Sequence, residues 1–322
     1  MTEPLRILLH NAETSDIASM ARRAHPKAIV ETCQSYAALS AHLDALRPHA
    51  VYTVRFAGSD GYPRDALFGP NGPRWVANGG AGTDHFGIWD TTRVTVTNAA
   101  GVAADMMAEY VMGGFLHFAL DVPGLQSDKA QRRWPARTVR PLKDATLLIV
   151  GLGQTGRAIA RLAQSFGMIV IGTRARPEPM EHVDEVHPAD HLHAVLPRAD
   201  FVAVCTPLTP ATRNLLSVNE FALMKPGVVF TDVSRGGVID GTALLGALSD
   251  GHVAGAALDV FETEPLPADS PFWAVENALI SPHCSSVYDG WEAASFDLFL
   301  NNLARWVEGK ELFNIVDPNR GY

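Results

Sequence analysis

The sequence predicts an α/β fold with two doubly wound parallel-sheet domains, and three observations support this prediction. Short apolar segments alternate with helical patterns along the chain, which is typical of parallel sheets. The 322 residues suffice for two domains of ordinary size. A glycine-rich turn at Gly151 stands between a predicted strand and a predicted helix, which indicates a dinucleotide-binding sheet.

Residues 1–101 are expected to form the first part of one domain, which binds the substrate. This segment contains no glycine fingerprint of nucleotide binding, so we assign it a task other than holding a cofactor. An amphipathic helix is predicted at 36–46, and strands are predicted at residues 5–9, 28–30, 50–54, 75–78 and 94–97.

Residues 102–286 are expected to form the dinucleotide-binding domain. It opens with an apolar helix at 103–120, expected to be buried, and a polar segment at 121–141, expected to be exposed. An amphipathic helix at 291–307 lies beyond the predicted sheet, so we expect residues 287–322 to return to the first domain. The strands of the second domain are predicted at residues 147–150, 168–173, 201–205, 228–233, 254–260 and 278–280.

The glycine turn has the spacing that a pyrophosphate requires. Gly151 permits the tight turn, Gly153 has no side chain to keep phosphates from the backbone, and Gly156 lets helix and strand pack closely. The helix that begins at Gln154 and Thr155 offers free N–H groups and the positive end of its dipole. We therefore predict that these five residues bind a dinucleotide cofactor.

The end of the next strand indicates which dinucleotide binds. An NAD site usually has an acidic residue there, which holds the ribose 2′-hydroxyl. This chain has Thr173, Arg174 and Arg176 instead, and guanidinium groups attract the 2′-phosphate of NADP. The sequence thus predicts NADP(H), with NAD as the weaker alternative.

Composition argues against several classes of function. With 26 basic and 35 acidic residues the net charge is −9, which disfavours nucleic-acid binding. The apolar helix candidate at 106–120 is too short to span a bilayer, and the N-terminus lacks the pattern of a signal peptide. Three scattered cysteines without a C-x-x-C pair favour a reduced, cytoplasmic protein.

Histidines concentrated between residues 182 and 193 suggest a metal site. Their spacing does not match a ligand pattern and the nearby acids are scattered, so we predict a solvated segment that binds no metal. The residues concerned are His182, His187, His191 and His193.

Gly80, Ala81 and Gly82 come almost directly after a predicted strand. Such a turn exposes backbone N–H groups that can hold a carboxylate. A plain glycine turn explains the same residues equally well, so both interpretations stay open.

Polar residues follow three predicted strands of the second domain: Arg235, Glu264 and His283. Open α/β sheets bind ligands at this edge. Reduction of a ketone needs a hydride at carbon, from the cofactor, and a proton at oxygen, from the protein. Histidine exchanges a proton near neutral pH, a neighbouring carboxylate favours its protonated form, and arginine can bind a substrate carboxylate.

Each of these residues alone has a structural explanation, and their combination favours a catalytic one. Glu262 is an alternative to Glu264 that spacing cannot separate. Cys284 beside His283 suggests a Cys–His nucleophile. Adjacent residues of an extended chain point to opposite sides, however, so we give that interpretation little weight.

These motifs together resemble the D-isomer-specific 2-hydroxyacid dehydrogenases. The resemblance covers nearly the whole chain and is densest from about residue 140 to residue 290. In the glutamate segment, the family's acid immediately before proline falls on Glu264. The matching segments are the cofactor turn at 148–157, the arginine segment at 233–240, the glutamate segment at 258–265 and the histidine segment at 281–283.

The resemblance implies a flavodoxin-like substrate domain and a Rossmann cofactor domain, with the active site in the cleft between them. It implies Arg235 for substrate binding, His283 as the acid/base and Glu264 as its partner, with backbone groups of Gly80–Gly82 holding the substrate carboxylate. It also implies a homodimer held through the cofactor domain. The residues that it adds to the cofactor site are Thr206, Pro207, Val233 and Asp259.

The chain departs from the family pattern at three places. Arg174 stands where NAD-using members carry Asp, which points to the NADP-using glyoxylate, hydroxypyruvate and 2-ketoacid reductases. Asp232 stands where Asn is common, and residues 284–286, Cys-Ser-Ser, depart from the run of small residues with Gly or Ala that is usual after the histidine.

Our prediction is an NADP(H)-dependent reductase that converts small 2-keto acids to D-2-hydroxy acids. Two alternatives share the fold. One is a dinucleotide-sensing corepressor or scaffold, and the other is a dehydrogenase of the formate or phosphite type.

Overall fold

The computed structural model describes residues 3–56 and 61–321, and this part of the chain contains twelve strands and ten helices. The strands are β1 (Arg6–His10), β2 (Ile29–Cys33), β3 (Ala50–Thr53), β4 (Trp75–Asn78), β5 (Thr95–Thr97), β6 (Thr146–Val150), β7 (Ile169–Arg174), β8 (Glu185–Pro188), β9 (Phe201–Val204), β10 (Val228–Asp232), β11 (Val253–Leu258) and β12 (Ala278–Ile280). The helices are α1 (Ser15–Ala24), α2 (Leu39–Leu46), α3 (Arg64–Phe68), α4 (Ala104–Ala119), α5 (Val122–Ala130), α6 (Gln154–Ser165), α7 (Leu192–Val195), α8 (Val218–Leu223), α9 (Gly241–Ser249) and α10 (Trp291–Val307).

The chain divides into two compact units. The first consists of Met1–Val102 and Asp289–Tyr322, and the second of Ala103–Tyr288. Each unit contains one parallel sheet, so the predicted α/β class with two parallel sheets is confirmed. The assignment of substrate and cofactor to the two units stays a prediction at this point.

The first unit has a five-stranded sheet in the order β2-β1-β3-β4-β5. This is the flavodoxin-like order, in which the chain reverses its winding direction between β1 and β3. Helix α10 places Phe296, Phe299 and Leu303 in the core of this sheet, together with Ile7 and Trp75. Burial of these apolar side chains explains why the C-terminal segment folds with the first unit.

The second unit has a seven-stranded sheet in the order β12-β11-β10-β9-β6-β7-β8. Counted from β6, this is the Rossmann order 3-2-1-4-5-6 with β12 added beyond the sixth strand. The winding reverses between β6 and β9, which lie side by side in the sheet. In sheets of this type, ligands bind beyond the carboxyl ends of the strands at that point.

Helix α4 lies against this second sheet, as its apolar sequence predicts. Val111 and Phe115 are fully buried, and a Cβ atom on Gly114 would lie 2.7 Å from the Cβ of Ala257. The absence of a side chain at Gly114 therefore lets the helix approach the strand closely.

Two segments differ from the sequence-based expectation. The polar segment 121–141 contains α5, although Trp134 in it is fully exposed as expected. The segment predicted to be solvated after Arg176 contains β8, which is half-buried and pairs with β7. An edge strand lacks the continuous apolar sequence of the central strands, because it is less buried.

No helix in the described part of the chain combines the length and apolarity that crossing a bilayer requires.

Candidate active site

The three polar residues predicted to carry chemistry lie at one edge of the second sheet. Strands β10, β11 and β12 are neighbours and run parallel, so their carboxyl ends point the same way. Arg235 comes three residues after β10, Glu264 six residues after β11, and His283 three residues after β12. The three residues thus follow neighbouring strands at the same edge of the sheet.

His283 and Glu264 form a hydrogen-bonded pair. The Nδ1 atom of His283 lies 2.8 Å from Oε2 of Glu264, and the side chains are 37% and 35% exposed. The N–H of Phe261 donates to the other carboxylate oxygen, Oε1, at 2.9 Å. The glutamate is thus held by backbone on one side while it binds the imidazole on the other, which fixes the orientation of the ring.

The environment keeps Glu264 ionised. Burial alone would raise the pKa of this carboxyl, but the hydrogen bonds from His283 and Phe261 lower it below its ordinary value overall. The positive charge of Arg235 acts in the same direction. The ionised carboxylate of Glu264 thus presents a negative charge to the ring of His283.

The structure separates the two glutamates that spacing left open. Glu264 binds His283, whereas Glu262 lies with its carboxylate 3.9 Å from Nη1 of Arg213 and is largely exposed. Glu262 therefore belongs to a surface ion pair.

Gly236 allows the arginine and glutamate segments to meet. A Cβ atom on this glycine would lie 2.0 Å from the carbonyl oxygen of Phe261 and 2.6 Å from the nitrogen of Glu262. The backbone of Gly236, one residue after Arg235, thus contacts the backbone of Phe261, three residues before Glu264. Any larger residue would push the two segments apart.

The backbone at His283 is not extended, although the comparison of His283 with Cys284 in the sequence assumed an extended chain. His283 has φ = 53°, in the left-handed region, and its N–H donates to the carbonyl oxygen of Asp259 at 2.9 Å. The alternation of an extended strand therefore does not apply to Cys284, whose side chain is exposed. The ring of His283 is hydrogen-bonded to Glu264.

Asp259 holds the loop that carries His283. Its Oδ1 accepts hydrogen bonds from the N–H of Cys284 at 2.8 Å and from the hydroxyl of Ser281 at 2.5 Å, and its Oδ2 accepts one from the N–H of Ser285 at 3.0 Å. Ser281 in turn lies 2.6 Å from the hydroxyl of Tyr110. Sequence reasoning missed Tyr110 and Ser281, since only the fold brings α4 to the end of β12.

The glycine turn has the predicted local geometry. Gly151 has φ = 108°, and a Cβ atom there would lie 3.0 Å from the nitrogen of Thr206. A Cβ atom on Gly156 would lie 2.2 Å from the carbonyl oxygen of Gly151, whereas one on Gly153 would meet nothing within 4 Å among the described residues. The turn is thus tight at Gly151 and Gly156, and it leaves room beside Gly153, where helix α6 begins.

The other predicted cofactor residues surround this turn. The N–H groups of Gly151 and Leu152 donate to the carbonyl oxygen of Thr173, so Arg174 lies one residue from the turn. Thr206 and Pro207 follow β9, next to Gly151. The hydroxyl of Thr155 contacts Met107 Sδ at 3.6 Å, and Gln154 opens α6.

Four of the predicted cofactor residues differ in exposure. Thr173 and Val233 are buried at the ends of their strands, so they can offer mainly backbone atoms to a ligand. Arg176 is exposed, and Arg174 is half-buried, with Nη1 2.7 Å from Oε1 of Glu178.

In the first unit, two asparagines fix the turn at Gly80–Gly82. Asn78 donates from its side chain to the carbonyl oxygens of Gly80 and Gly82, at 2.9 and 2.8 Å, and Asn98 donates to that of Ala81 at 2.7 Å. Within residues 3–56 and 61–321, the N–H groups of the three turn residues donate no hydrogen bond. The carbonyl oxygens of the turn are thus bound by the two asparagines, and its N–H groups can donate to a carboxylate.

Sequence reasoning missed both asparagines. Each of them directly ends or follows a strand, Asn78 in β4 and Asn98 after β5. An amide side chain at a strand end, next to glycines, was the signal that could have found them.

Three of the four histidines of the segment 182–193 have separate hydrogen-bonding partners. His182 lies 2.6 Å from Gln164, His187 lies 3.0 Å from Glu185, and His193 lies 2.8 Å from Glu220. Among the residues that the structure describes, no group of three or more His, Cys, Asp and Glu side chains is arranged to hold a metal ion.

Comparison with known proteins matches residues 112–285 to the family model described as the D-isomer specific 2-hydroxyacid dehydrogenase, NAD binding domain. The glyoxylate reductase of Thermococcus litoralis is 32% identical over 257 residues, which cover 76% of this chain and 77% of that protein. The D-3-phosphoglycerate dehydrogenase of Methanocaldococcus jannaschii is 30% identical over 250 residues, which cover 76% of this chain and 48% of that protein. The match with that relative thus spans about half of its length.

A solved structure resembles almost the whole chain. The D-isomer specific 2-hydroxyacid dehydrogenase of Xanthobacter autotrophicus Py2, in complex with NADPH and MES, superposes with a TM-score of 0.85 at 32% identity. The superposition covers 99% of this chain and 100% of that one. The chain therefore belongs to the D-isomer specific 2-hydroxyacid dehydrogenase family.

Proposed function

We propose that the chain is an NADP(H)-dependent reductase that converts small 2-keto acids to D-2-hydroxy acids. The observation that carries this proposal is the 2.8 Å hydrogen bond between His283 and Glu264, at the same sheet edge as Arg235. The similarity to a glyoxylate reductase and to a family member that binds NADPH supports it.

The residues at the glycine turn fit a dinucleotide. Among the residues that the structure describes, none lies within 4 Å of a Cβ atom placed on Gly153, and none caps the N-terminus of the twelve-residue helix α6 with its side chain. The N–H groups of its first turn can therefore bind a pyrophosphate. Thr206 and Pro207 would line the same site, and Arg174 and Arg176 would bind the 2′-phosphate.

A bound nicotinamide cofactor would supply the hydride, and the side chains of this chain would supply the proton. Because Nδ1 of His283 is bound to Glu264, we assign Nε2 to the carbonyl oxygen of the substrate. The imidazolium gives its proton to this oxygen as the hydroxyl group forms. Glu264 fixes the ring orientation and stabilises the protonated ring before the transfer.

Arg235 is proposed as a carboxylate-binding residue of the second unit, and the amides of Gly80–Gly82 are proposed as carboxylate-binding groups of the first. A guanidinium can bind a carboxylate with two parallel hydrogen bonds, which restrains its orientation as well as its position. The amides of the turn are held in place because Asn78 and Asn98 bind its carbonyls. Recognition of the carboxylate would select 2-keto acids over simple ketones.

Initial-rate measurements with a panel of small 2-keto acids and with both NADPH and NADH test this proposal. We expect turnover with NADPH to exceed turnover with NADH. We expect Arg174→Asp to lower the NADPH:NADH ratio of kcat/KM by about tenfold or more, because a charge-assisted contact contributes roughly 1.5–3 kcal/mol.

Three results would overturn parts of the proposal. Absence of turnover with every keto acid, combined with tight nucleotide binding, would favour the sensing scaffold, and oxidation of formate or phosphite would favour the other same-fold enzyme. An unchanged nucleotide ratio in Arg174→Asp would overturn the assignment of Arg174.

We also propose a homodimer formed through the second unit. Leu120, Leu125, Trp134 and Val139 are large apolar residues of one short segment of this unit, and all are exposed. Contact with a second copy would cover such side chains. Light scattering should give about twice the chain mass of 34.7 kDa, and a monomer mass at micromolar concentration would contradict the proposal.

A further inference from the structure

Arg174 already has an anionic partner from its own chain. Its Nη1 atom lies 2.7 Å from Oε1 of Glu178, four residues further on, and 3.7 Å from Sδ of Met180. The chain after β7 therefore folds back, so that a carboxylate lies against the guanidinium assigned to the 2′-phosphate. Two anions, one resident and one brought by the cofactor, compete for the same cation.

The ion pair between Arg174 and Glu178 is easily broken. The Glu178 side chain is 66% exposed, whereas that of Arg174 is only 26% exposed. An exposed ion pair contributes little stability, and the glutamate can turn into solvent when it is displaced. Arg174 is the better fixed partner, since the carbonyl of the preceding residue, Thr173, accepts the N–H groups of the glycine turn.

The carboxylate affects binding of the two nucleotides differently. A 2′-phosphate next to Glu178 meets like charge, and it must also displace the carboxylate from Arg174. A ribose with a free 2′-hydroxyl brings no such charge and can donate a hydrogen bond to a carboxylate. The pair thus weakens binding of the phosphorylated nucleotide and leaves the unphosphorylated one unaffected or favoured.

We propose that Glu178 is a specificity-determining residue that competes with the 2′-phosphate for Arg174 and so limits the preference for NADP(H) over NAD(H). This inference rests on the proposed role of Arg174 in cofactor binding.

Calorimetric titration of the full-length protein with adenosine 2′,5′-bisphosphate and with 5′-AMP tests the proposal without turnover. Glu178→Gln keeps the size of the side chain and removes its charge. We expect it to tighten binding of the bisphosphate by about two- to tenfold at low salt, with less gain at high salt, since exposed charges are screened. Binding of 5′-AMP should stay the same or weaken.

Glu181→Gln is the matched control. Glu181 lies in the same segment, is 87% exposed and is 3.5 Å from His182, so its substitution removes one negative charge without affecting Arg174. We expect it to change affinity for the bisphosphate less than about twofold. In an Arg174→Ala background, the gain from Glu178→Gln should also fall below about twofold.

The outcomes separate this inference from the proposed function. If the unaltered protein binds the bisphosphate no better than 5′-AMP, the NADP assignment itself fails. If it does prefer the bisphosphate but Glu178→Gln has no effect, or matches Glu181→Gln, only the inference about Glu178 fails. A full gain that persists without Arg174 would overturn the competition for Arg174.

Discussion

Replacement of His283 by asparagine is expected to lower kcat for keto-acid reduction by about 10²- to 10⁴-fold, the range that loss of a general acid produces. Asparagine is the appropriate substitution because His283 has φ = 53°. Asparagine adopts this left-handed conformation more readily than alanine does. The hydrogen bond from the backbone N–H to Asp259 can then persist, so that the change removes the proton donor and little else.

Binding of NADPH should change little in this variant, because His283 is assigned to the substrate oxygen. Cofactor fluorescence measures this affinity independently of turnover. A large loss of NADPH binding in His283→Asn would mean that the loop has moved, and a kcat within a few-fold of the unaltered enzyme would refute the assignment of the proton donor.

Cys284→Ser is the matched control for the same loop. The thiol is exposed, while the N–H of Cys284 donates to Asp259 in either variant. We expect kcat to stay within about twofold, as is usual for surface substitutions. Loss of activity comparable to that of His283→Asn would revive the nucleophile hypothesis that the sequence suggested.

Glu264→Gln distinguishes positioning from proton transfer. The amide can still accept a hydrogen bond from His283 but cannot stabilise a positive charge on the ring. We therefore expect the rate of reduction to decline at lower pH than in the unaltered enzyme, with part of the rate retained at acidic pH. A pH profile that keeps its shape and merely falls in height would contradict this role.

The central strands of the second sheet could be predicted to within one or two residues from sequence. Phe201–Val204 and Val228–Asp232 are buried along their whole length, and burial on both faces requires a continuous apolar sequence. Ser217 followed three residues later by Glu220 is the sequence signature of a capping box, and in the structure the N–H of Ser217 donates to the carboxylate of Glu220 at 2.9 Å. These are local signals, each contained in a few consecutive residues.

Other elements lack a local signal. Helix α9 begins at Gly241 and contains Gly246, which suggests a turn, although Asp240 caps it by accepting from Thr242 and Ala243. Strand β8 is half-buried and ends in a proline. Both form because neighbouring elements supply their packing, which no single sequence window contains.

The site was predictable where it depended on strand order and not where it depended on loop geometry. Parallel strands bring Arg235, Glu264 and His283 to one edge whatever their loops do. The choice between Glu262 and Glu264 depends on how the backbone turns after Phe261, and the support of the His283 loop depends on Tyr110, far away in sequence.

Asp232→Asn is expected to stabilise the protein increasingly as pH rises. The carboxyl of Asp232 is 3% exposed, and its Oδ1 accepts from the N–H and the hydroxyl of Ser234, at 2.9 and 2.5 Å. Burial raises the pKa of Asp232 to about 7, although the hydrogen bonds from Ser234 oppose the shift. The neighbouring charge of Asp259 raises it further and that of Arg235 lowers it.

The direction of this pKa shift determines how the free energy of unfolding depends on pH. Between the ordinary value of 3.8 and about 7, the folded protein keeps a proton that the unfolded chain has released. The free energy of unfolding therefore falls as pH rises through this window and levels off above it. Asparagine has no proton to lose, so the variant escapes this decline, while its side-chain oxygen can still accept both hydrogen bonds from Ser234.

Urea denaturation of both proteins at several pH values measures the effect. We expect the stability difference in favour of Asp232→Asn to grow by about 2–3 kcal/mol between pH 5 and pH 8, at roughly 1.4 kcal/mol per pH unit for one proton. Asp269→Asn, a change at an exposed aspartate, should show no such growth. Plots of unfolding free energy against pH that run parallel for Asp232→Asn and the unaltered protein would contradict this prediction. They would mean that the buried carboxyl holds no proton in this pH window, because Ser234 and Arg235 lower its pKa enough to cancel the effect of burial.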